Sequence, residues 1–435
     1  MMKRFPPVFR PLLFAAGFLA LLASARGQST LIATALQPLV DDHSLPGAVV
    51  LVADKDKILD LEAVGYSDIA AGKPMRPDSL FWIASMTKSF TCTLLMMLVD
   101  DGKVNVDDPV AKYLPEFKDL KVAAKEDKAV PAQGAPIQGY MLKDEKLAAD
   151  TGPLREPQHG MRIRDLLTHM SGISPAKSPR QIADKDFVPL REAVAGYAAI
   201  PLIFDPGTSY AYSNHGMDTV GRIIEVASGM RYQDFMNERL LKPLGMKDTT
   251  FWPSDEQFSR LAQGYSPDPA TNSLKLEKSI GFFHYPLSNP QRQPWPAGGL
   301  FSTASDLSIF CRMLINGGVY QGRRYLSMKS LQQMTSTQTG DILNKGQSEV
   351  GYGFGWQTVN KLHPTDRGLA GPFGHGGAYG TEMWIDPRAP SIRILMVQME
   401  GGLPKALGKR VSAALGKAEK EVLAKAKAPD AANAQ

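Results

Sequence analysis

The sequence predicts a mixed α/β protein, with one antiparallel sheet flanked by helices and a large all-α subdomain inserted into it. Three observations lead there. Two β-like runs, 48–53 and 58–64, lie near the start and are joined by the turn-like Asp54-Lys55-Asp56-Lys57. Apolar residues at helical spacing then dominate the middle of the chain. Strand-like runs return at 352–359, 382–385 and 392–399, divided by Gly-rich stretches and Asp386-Pro387. A sheet drawn from about 45–66 and 350–400 must close across the helical segment between them.

At 435 residues the chain can bury a large core. Lys3, Arg4 and Arg10 precede an apolar run from Leu12 to Ala23, and small residues follow at Ala23-Ser24-Ala25 and Ala25-Arg26-Gly27. That pattern predicts a secretory signal peptide over 1–27, which leaves a folded domain over 28–428 and a polar tail, expected to be disordered, at 429–435. The expected location is periplasmic or secreted. The apolar run is short for a membrane span, and no second one follows. Losing Lys3, Arg4, Arg10 and Arg26 would lower the formal charge from +5 to +1. The basic balance is thus a targeting feature and gives no case for nucleic acid. Cys92 and Cys311 fall in apolar helical segments and are expected as buried thiols rather than a disulfide.

In chain order, 30–42 reads as an amphipathic helix broken by Pro46-Gly47. After the two strands, an apolar stretch from Thr91 to Asp101 without Pro or Gly predicts a buried helix ended by Gly102. Asp107-Asp108-Pro109 opens a short helical segment, and Tyr113-Leu114-Pro115 closes it. Residues 119–160 lack periodicity and read as a long loop or insertion, either a lid or variable surface. A helix at 161–169 stops at Ser171-Gly172. Another covers 190–199. Tyr210 to Asn214 leads into a helix closed by Gly229, and 231–240 forms the next. Residues 252–296 read as loops with one short hairpin. Thr303-Ala304-Ser305-Asp306 starts a helix that runs to Ile315. The 371–380 stretch reads as a glycine-rich turn, and 404–426 as an Ala/Lys-rich helix.

The chemistry gathers at three places. Ser85 and Lys88 stand three apart at the start of the buried helix, so hydroxyl and ammonium share a face. In a first helical turn the Ser85 N–H is free to hold an oxyanion, and the lysine can manage the hydroxyl proton. Alone, the pair also fits a helix N-cap followed by a surface lysine. Tyr212-Ser213-Asn214 offers a phenol and a carboxamide ahead of another helix. A lysine beside Tyr212 would favour its phenolate and lower its pKa. Asn214 can donate to a substrate amide or hold the lysine; taken alone, a packed tyrosine and an Asn N-cap fit these residues better. In Gly374-His375-Gly376-Gly377-Ala378, glycines allow close backbone approach. His375 can hydrogen-bond the tyrosine or contact a substrate carboxylate. The N–H groups of Ser85 and Ala378 can form an oxyanion hole. A tight hairpin turn is the alternative reading.

Together, Ser85-x-x-Lys88, Tyr212-x-Asn214 and His375-x-Gly377 resemble, in order and rough spacing, the serine β-lactamase and penicillin-binding-protein superfamily. The nearest likeness is to the branch of class C β-lactamases, D-alanyl-D-alanine carboxypeptidases and β-lactamase-like esterases. Residues 164–172 and 298–307 also look like that branch, and the resemblance spans about 30–400. It implies Ser85 as the acylated nucleophile and Lys88 as helper in its deprotonation. It implies Tyr212 as base, and Asn214, His375, Gly376 and Gly377 as substrate contacts. His375 stands where class C enzymes usually carry lysine. A neutral imidazole is a weaker anchor for a lactam carboxylate, which shifts weight to esterase or peptidase chemistry.

The expected activity is therefore an exported serine hydrolase acting on a small-molecule or peptide-like ester, amide or lactam, without cofactor or metal. A D-alanyl-D-alanine carboxypeptidase or class C-like β-lactamase is one alternative. A non-catalytic protein that binds or senses a cell-wall peptide is another. His169 and His215 read as structural. No Gly-x-Ser-x-Gly elbow argues for an α/β-hydrolase, and no residue spacing argues for a metal site. Trp82, Trp252, Trp295 and Trp356 can line a cleft or pack the core.

Overall fold

The computed structural model describes residues 30–123, 152–175, 186–268, 273–340, 342–343, 350–359 and 371–427. The expected signal peptide, the centre of the 119–160 stretch and the expected disordered tail lie outside these residues. No helix among the described residues is long and apolar enough to cross a membrane.

The chain opens with helix α1 (Leu31–Asp41), then strands β1 (Gly47–Ala53), β2 (Ile58–Asp68) and β3 (Lys73–Pro74). Late in the chain come β4 (Val350–Tyr352), β5 (Gln357–Val359), β6 (Phe373–Gly376), β7 (Glu382–Asp386) and β8 (Ser391–Met396). They form one antiparallel sheet in the order β4-β5-β6-β7-β8-β1-β2-β3. The first and last thirds meet where β1 pairs with β8, with Val50 opposite Leu395.

β1 is buried along its whole length, which is why its sequence is a continuous apolar run rather than an alternation. Successive side chains still point to opposite faces. Val49, Leu51 and Ala53 enter the main core on the helical side. Ala48, Val50 and Val52 enter a second core with Ile32, Leu36 and Leu39 of α1 and Leu407, Val411 and Leu415 of the C-terminal helix (Lys405–Lys427).

Two strand expectations need correction. The run at 352–359 is two strands, because the chain reverses between Tyr352 and Gln357. Gly355 takes φ +77° there, and a Cβ at Gly353 would lie 2.1 Å from the Met334 carbonyl oxygen. The stretch at 371–380 is only partly a turn. Its Gly374, His375 and Gly376 belong to β6, where glycine at 374 clears the Trp384 ring of β7.

Between the sheet halves lies the helical region. Helix α2 (Thr87–Asp100) is buried on every side from Thr87 to Leu98, as an apolar helix in the middle of a protein must be. Around it stand α3 (Ile163–Leu167), α4 (Leu190–Ala198), α5 (Asn214–Ser228), α6 (Tyr232–Met236) and α7 (Ala304–Ile315). Gly229 ends α5 in the left-handed conformation, and the Thr303 hydroxyl caps α7 by accepting the Asp306 N–H. The 231–240 expectation is met by α6 followed by a π-helical turn at Asn237–Leu241. The ends of the 119–160 stretch are drawn together by a short antiparallel pair, Val122–Ala123 with Leu154–Arg155. Cys92 and Cys311 are free, buried thiols beside Met217 and Met383.

Candidate active site

A two-residue strand, Phe81–Trp82, pairs with Phe301–Ser302 and delivers the chain to the nucleophile turn. The Ile83 N–H donates to the Leu300 carbonyl. Ala84 then takes φ +44°, a strained value for a residue with a Cβ. Ser85 sits in a 3-10 turn, Ala84–Met86, just ahead of α2 rather than in its first α-helical turn. The hydroxyl keeps its place one turn before Lys88, and Ser85 remains partly exposed.

Lys88 is wholly buried. Its Nζ lies 3.0 Å from Ser85 Oγ, 2.8 Å from Asn214 Oδ1 and 2.6 Å from the Ala297 carbonyl oxygen. Two of these are pure acceptors. The third is a hydroxyl, which can accept from an ammonium or donate to an amine lone pair. The cluster therefore suits lysine in either protonation state and aims its changeable position at Ser85.

Asn214 is the first residue of α5, and the cap is Ser213, whose Oγ accepts the Gly216 N–H at 3.0 Å. Capping by Ser213 leaves the Asn214 carboxamide free to reach Lys88. Tyr212 presents its ring face to the same nitrogen, 4.7 Å from the centroid. The expected lowering of its pKa is not what the structure gives. Burial pushes the phenol up, outweighing the opposing hydrogen bond with Ser85, so Tyr212 rests as a neutral phenol.

His375 lies on β6, 1% exposed. Its Nδ1 is 2.7 Å from the Gly376 carbonyl oxygen and must donate there, so Nε2 accepts from the Tyr352 hydroxyl at 3.0 Å. The tyrosine it bonds is Tyr352, not Tyr212. With both nitrogens engaged, the ring as placed has none to offer a substrate carboxylate. Burial, reinforced by the Lys88 charge, drives its pKa down to about 3, so it is neutral at ordinary pH.

The end of β6 carries Gly376, Gly377 and Ala378, all partly exposed. Gly377 closes on the nucleophile turn, where a Cβ would lie 2.5 Å from the Ile83 carbonyl oxygen and 2.2 Å from Thr381 Oγ1. Among the described residues, neither the Ser85 nor the Ala378 N–H finds a backbone acceptor, while the Gly377 N–H is taken by the Thr381 carbonyl. Both free donors belong to the partly exposed rim around Ser85.

Other residues enter that the motifs did not show. The Ala297 carbonyl is one, since no side-chain pattern marks a backbone acceptor. Tyr352 is another. His169, read as structural, lies against Tyr212 with ring centroids 4.3 Å apart, and its Nδ1 accepts the Ser213 N–H at 3.1 Å. It is fully buried, and its pKa is held well below the ordinary value by burial and by Lys88. His215 lies deeper, stacked on Tyr197, with Nδ1 2.9 Å from the Ser174 carbonyl oxygen. Of the tryptophans, Trp356 is core, while Trp82 packs against Phe283 and Tyr379 beside the site.

Known proteins resemble this chain in sequence and in fold. The profile of the family described as Beta-lactamase matches residues 32–417. Protein Rv1367c of Mycobacterium tuberculosis (strain ATCC 25618 / H37Rv) is 33% identical over 385 residues, covering 83% of this chain and 88% of that protein. A Salmonella typhi protein with a provisional D-alanyl-D-alanine carboxypeptidase name is 26% identical over 377 residues, 80% of this chain and 77% of its own. The structure of EstCE1, a hydrolase with promiscuous acyltransferase activity, superposes with a TM-score of 0.69 at 20% identity, covering 89% of this chain and 97% of EstCE1. That last likeness is one of fold.

Proposed function

The chain belongs to the beta-lactamase family, with that family's serine-hydrolase fold, and on this premise we propose that it is an exported hydrolase of small esters or peptide-like amides. The reaction runs through an acyl-enzyme on Ser85. The observation that carries this reading is the placement of Lys88 Nζ 3.0 Å from Ser85 Oγ, in a cluster that also bonds it to Asn214 and Ala297.

In acylation the Lys88 amine takes the Ser85 proton as Oγ attacks the substrate carbonyl. Because Tyr212 rests as a phenol, the base role expected of it passes to Lys88. Tyr212 instead gives its proton to the leaving group and recovers one from the Lys88 ammonium. The oxyanion is held by the N–H groups of Ser85 and Ala378. Water then attacks the ester, its proton returning through the same pair. Asn214, partly committed to Lys88, faces the substrate at the rim. Gly376 lets it lie close to β6, while the bare Cα of Gly377 makes room for Ile83 and Thr381.

Within the class, the buried neutral His375 favours esters and amides over lactams, because the side chain at this position brings no charge to a lactam carboxylate. The carboxypeptidase name of the Salmonella typhi relative supports a D-alanyl-D-alanine peptide as the second reading.

The test is a side-by-side assay of the purified protein and its Ser85→Ala variant. The panel holds a short-chain p-nitrophenyl ester, a chromogenic cephalosporin and a D-alanyl-D-alanine peptide, with intact-mass detection of an acyl adduct. We expect ester or peptide turnover in the wild type, and neither turnover nor adduct in Ser85→Ala. Turnover that survives the substitution would sink the mechanism. Wild-type silence with no adduct would move the reading to a binding protein.

A further inference from the structure

We propose that Asp218 is a positioning residue for Lys88, acting through the backbone strap Pro296-Ala297-Gly298. The inference rests on the Ser85–Lys88 mechanism above and adds to it the part that holds the lysine and its charge in place.

The strap is gripped at four consecutive points. Thr91 Oγ1, one turn beyond Lys88 on α2, donates to the Pro296 carbonyl at 2.7 Å. The Ala297 N–H donates to Asp218 Oδ1 at 3.1 Å. The Ala297 carbonyl accepts from Lys88 Nζ, and the Gly298 carbonyl accepts from Trp82 Nε1, each at 2.6 Å. Asp218 and Lys88 thus hold opposite ends of one residue, so the carboxylate fixes the direction of the carbonyl that fixes the lysine.

The site for the strap is built into α5. Asp218 lies one turn beyond Asn214, which makes the second lysine contact. Gly221 lies almost one turn further, and a Cβ there would come within 2.2 Å of the Pro296 ring. A bare helix surface at that position is what lets the strap lie flat on α5. Asp218 itself is 2% exposed, and its other oxygen accepts from the Tyr197 hydroxyl of α4 at 3.1 Å.

Electrostatics gives the carboxylate a second effect. Lys88 is a buried amino group, and the Ser85 hydroxyl, the Asn214 carboxamide and the Ala297 carbonyl that bond it carry no formal charge. Among the described residues Tyr212, Cys92, His169 and His375 stand near it, and burial favours the neutral form of each. Around Asp218 stand Tyr197 and Tyr232, with His215 stacked on Tyr197. A carboxylate behind the strap, joined to the lysine through the Ala297 peptide, would favour the Lys88 ammonium between proton transfers. Its removal makes the ammonium less favourable, so the free amine persists to lower pH.

The experiment measures kcat, KM and the pH profile of kcat/KM on the substrate preferred in the panel, with a melting curve for each variant. Asp218→Asn keeps the shape and can keep the Ala297 bond while removing the charge. We expect kcat to fall about tenfold with KM within about twofold, and the acid limb of the profile to move to lower pH. Thr91→Val loosens the strap without touching charge, so kcat falls and the acid limb stays. Asp218→Asn with wild-type kcat and an unmoved acid limb overturns the proposal. Should that variant fail to fold, Gly221→Ala decides. A lowered kcat at unchanged KM supports the strap, and a wild-type kcat overturns it. Turnover in Ser85→Ala marks failure of the underlying mechanism instead. A dead Ser85→Ala beside an unaffected Asp218→Asn marks failure of this inference alone.

Discussion

Replacing Gly377 by alanine tests whether the end of β6 and the nucleophile turn form one catalytic unit. Gly377 has no positive φ, so alanine suits its backbone and the only obstacle is space. The new methyl would start 2.5 Å from the Ile83 carbonyl oxygen, where ordinary contact begins at 3.4 Å. Thr381 can turn its hydroxyl aside, but Ile83 is backbone, two residues before Ser85. The two segments must therefore separate by about 1 Å. Overpacking of this kind costs about 1–3 kcal/mol of stability. In the proposed mechanism, separation also carries the Ala378 N–H away from the place where an oxyanion would form on Ser85. Loss of one such donor lowers kcat by about 10²-fold to 10³-fold, which is about 3–4 kcal/mol on the barrier. The assay is steady-state hydrolysis of the preferred substrate, with adduct formation followed by intact mass. We expect kcat to fall at least about 100-fold while KM changes little. Gly416→Ala on the C-terminal helix, where a Cβ meets nothing within 4 Å, serves as the control for handling and folding. A Gly377→Ala enzyme with kcat within about threefold of wild type would refute the coupling.

Two further predictions concern stability. Arg292 and Asp186 form an ion pair at 3.0 Å, neither more than 1% exposed, and the guanidinium also donates to the Leu287 and Phe251 carbonyls. Arg292→Met strands the carboxylate and should cost about 3–5 kcal/mol in urea unfolding, with Arg292→Met/Asp186→Leu regaining much of it; a single-variant loss below about 1 kcal/mol would contradict this. Glu62, beside Asp60 on β2, has its pKa raised to about 7, first by burial and also by its acidic neighbour. Its ionisation opposes folding, so the penalty is absent below pH 4.5, grows as pH rises to about 7, and is constant above. The melting temperature of Glu62→Gln should therefore gain on wild type as pH rises through that window, and a difference flat in pH would count against it.

Much of the architecture was legible because its causes are local. The apolar run of β1, the period of α5 with Gly229 as its stop, and the Thr303 cap of α7 all act within a few residues. The Ser85–Lys88 pair was legible for the same reason, since helical geometry brings residues three apart onto one face. Where reading failed, distant parts of the chain had decided the outcome. The 352–359 run folds back between Tyr352 and Gln357 and packs Gly353 against the distant Met334 carbonyl, an approach no local pattern announces. The glycine-rich stretch became strand because β7 and β5 offered it partners on both sides.

The site divides the same way. The sequence alone supplied the residue types: a serine, a lysine, a tyrosine, an asparagine and a glycine-lined segment with a histidine. It could not supply their states. Tyr212 is a neutral phenol rather than a lysine-activated phenolate because burial outweighs its neighbours. His375 is locked by Tyr352, and Lys88 is held by Asn214, 126 residues away, and by a carbonyl 209 residues away. Protonation and hydrogen-bond partnership depend on solvent exclusion and on atoms brought close by the fold, and only the tertiary structure fixes either.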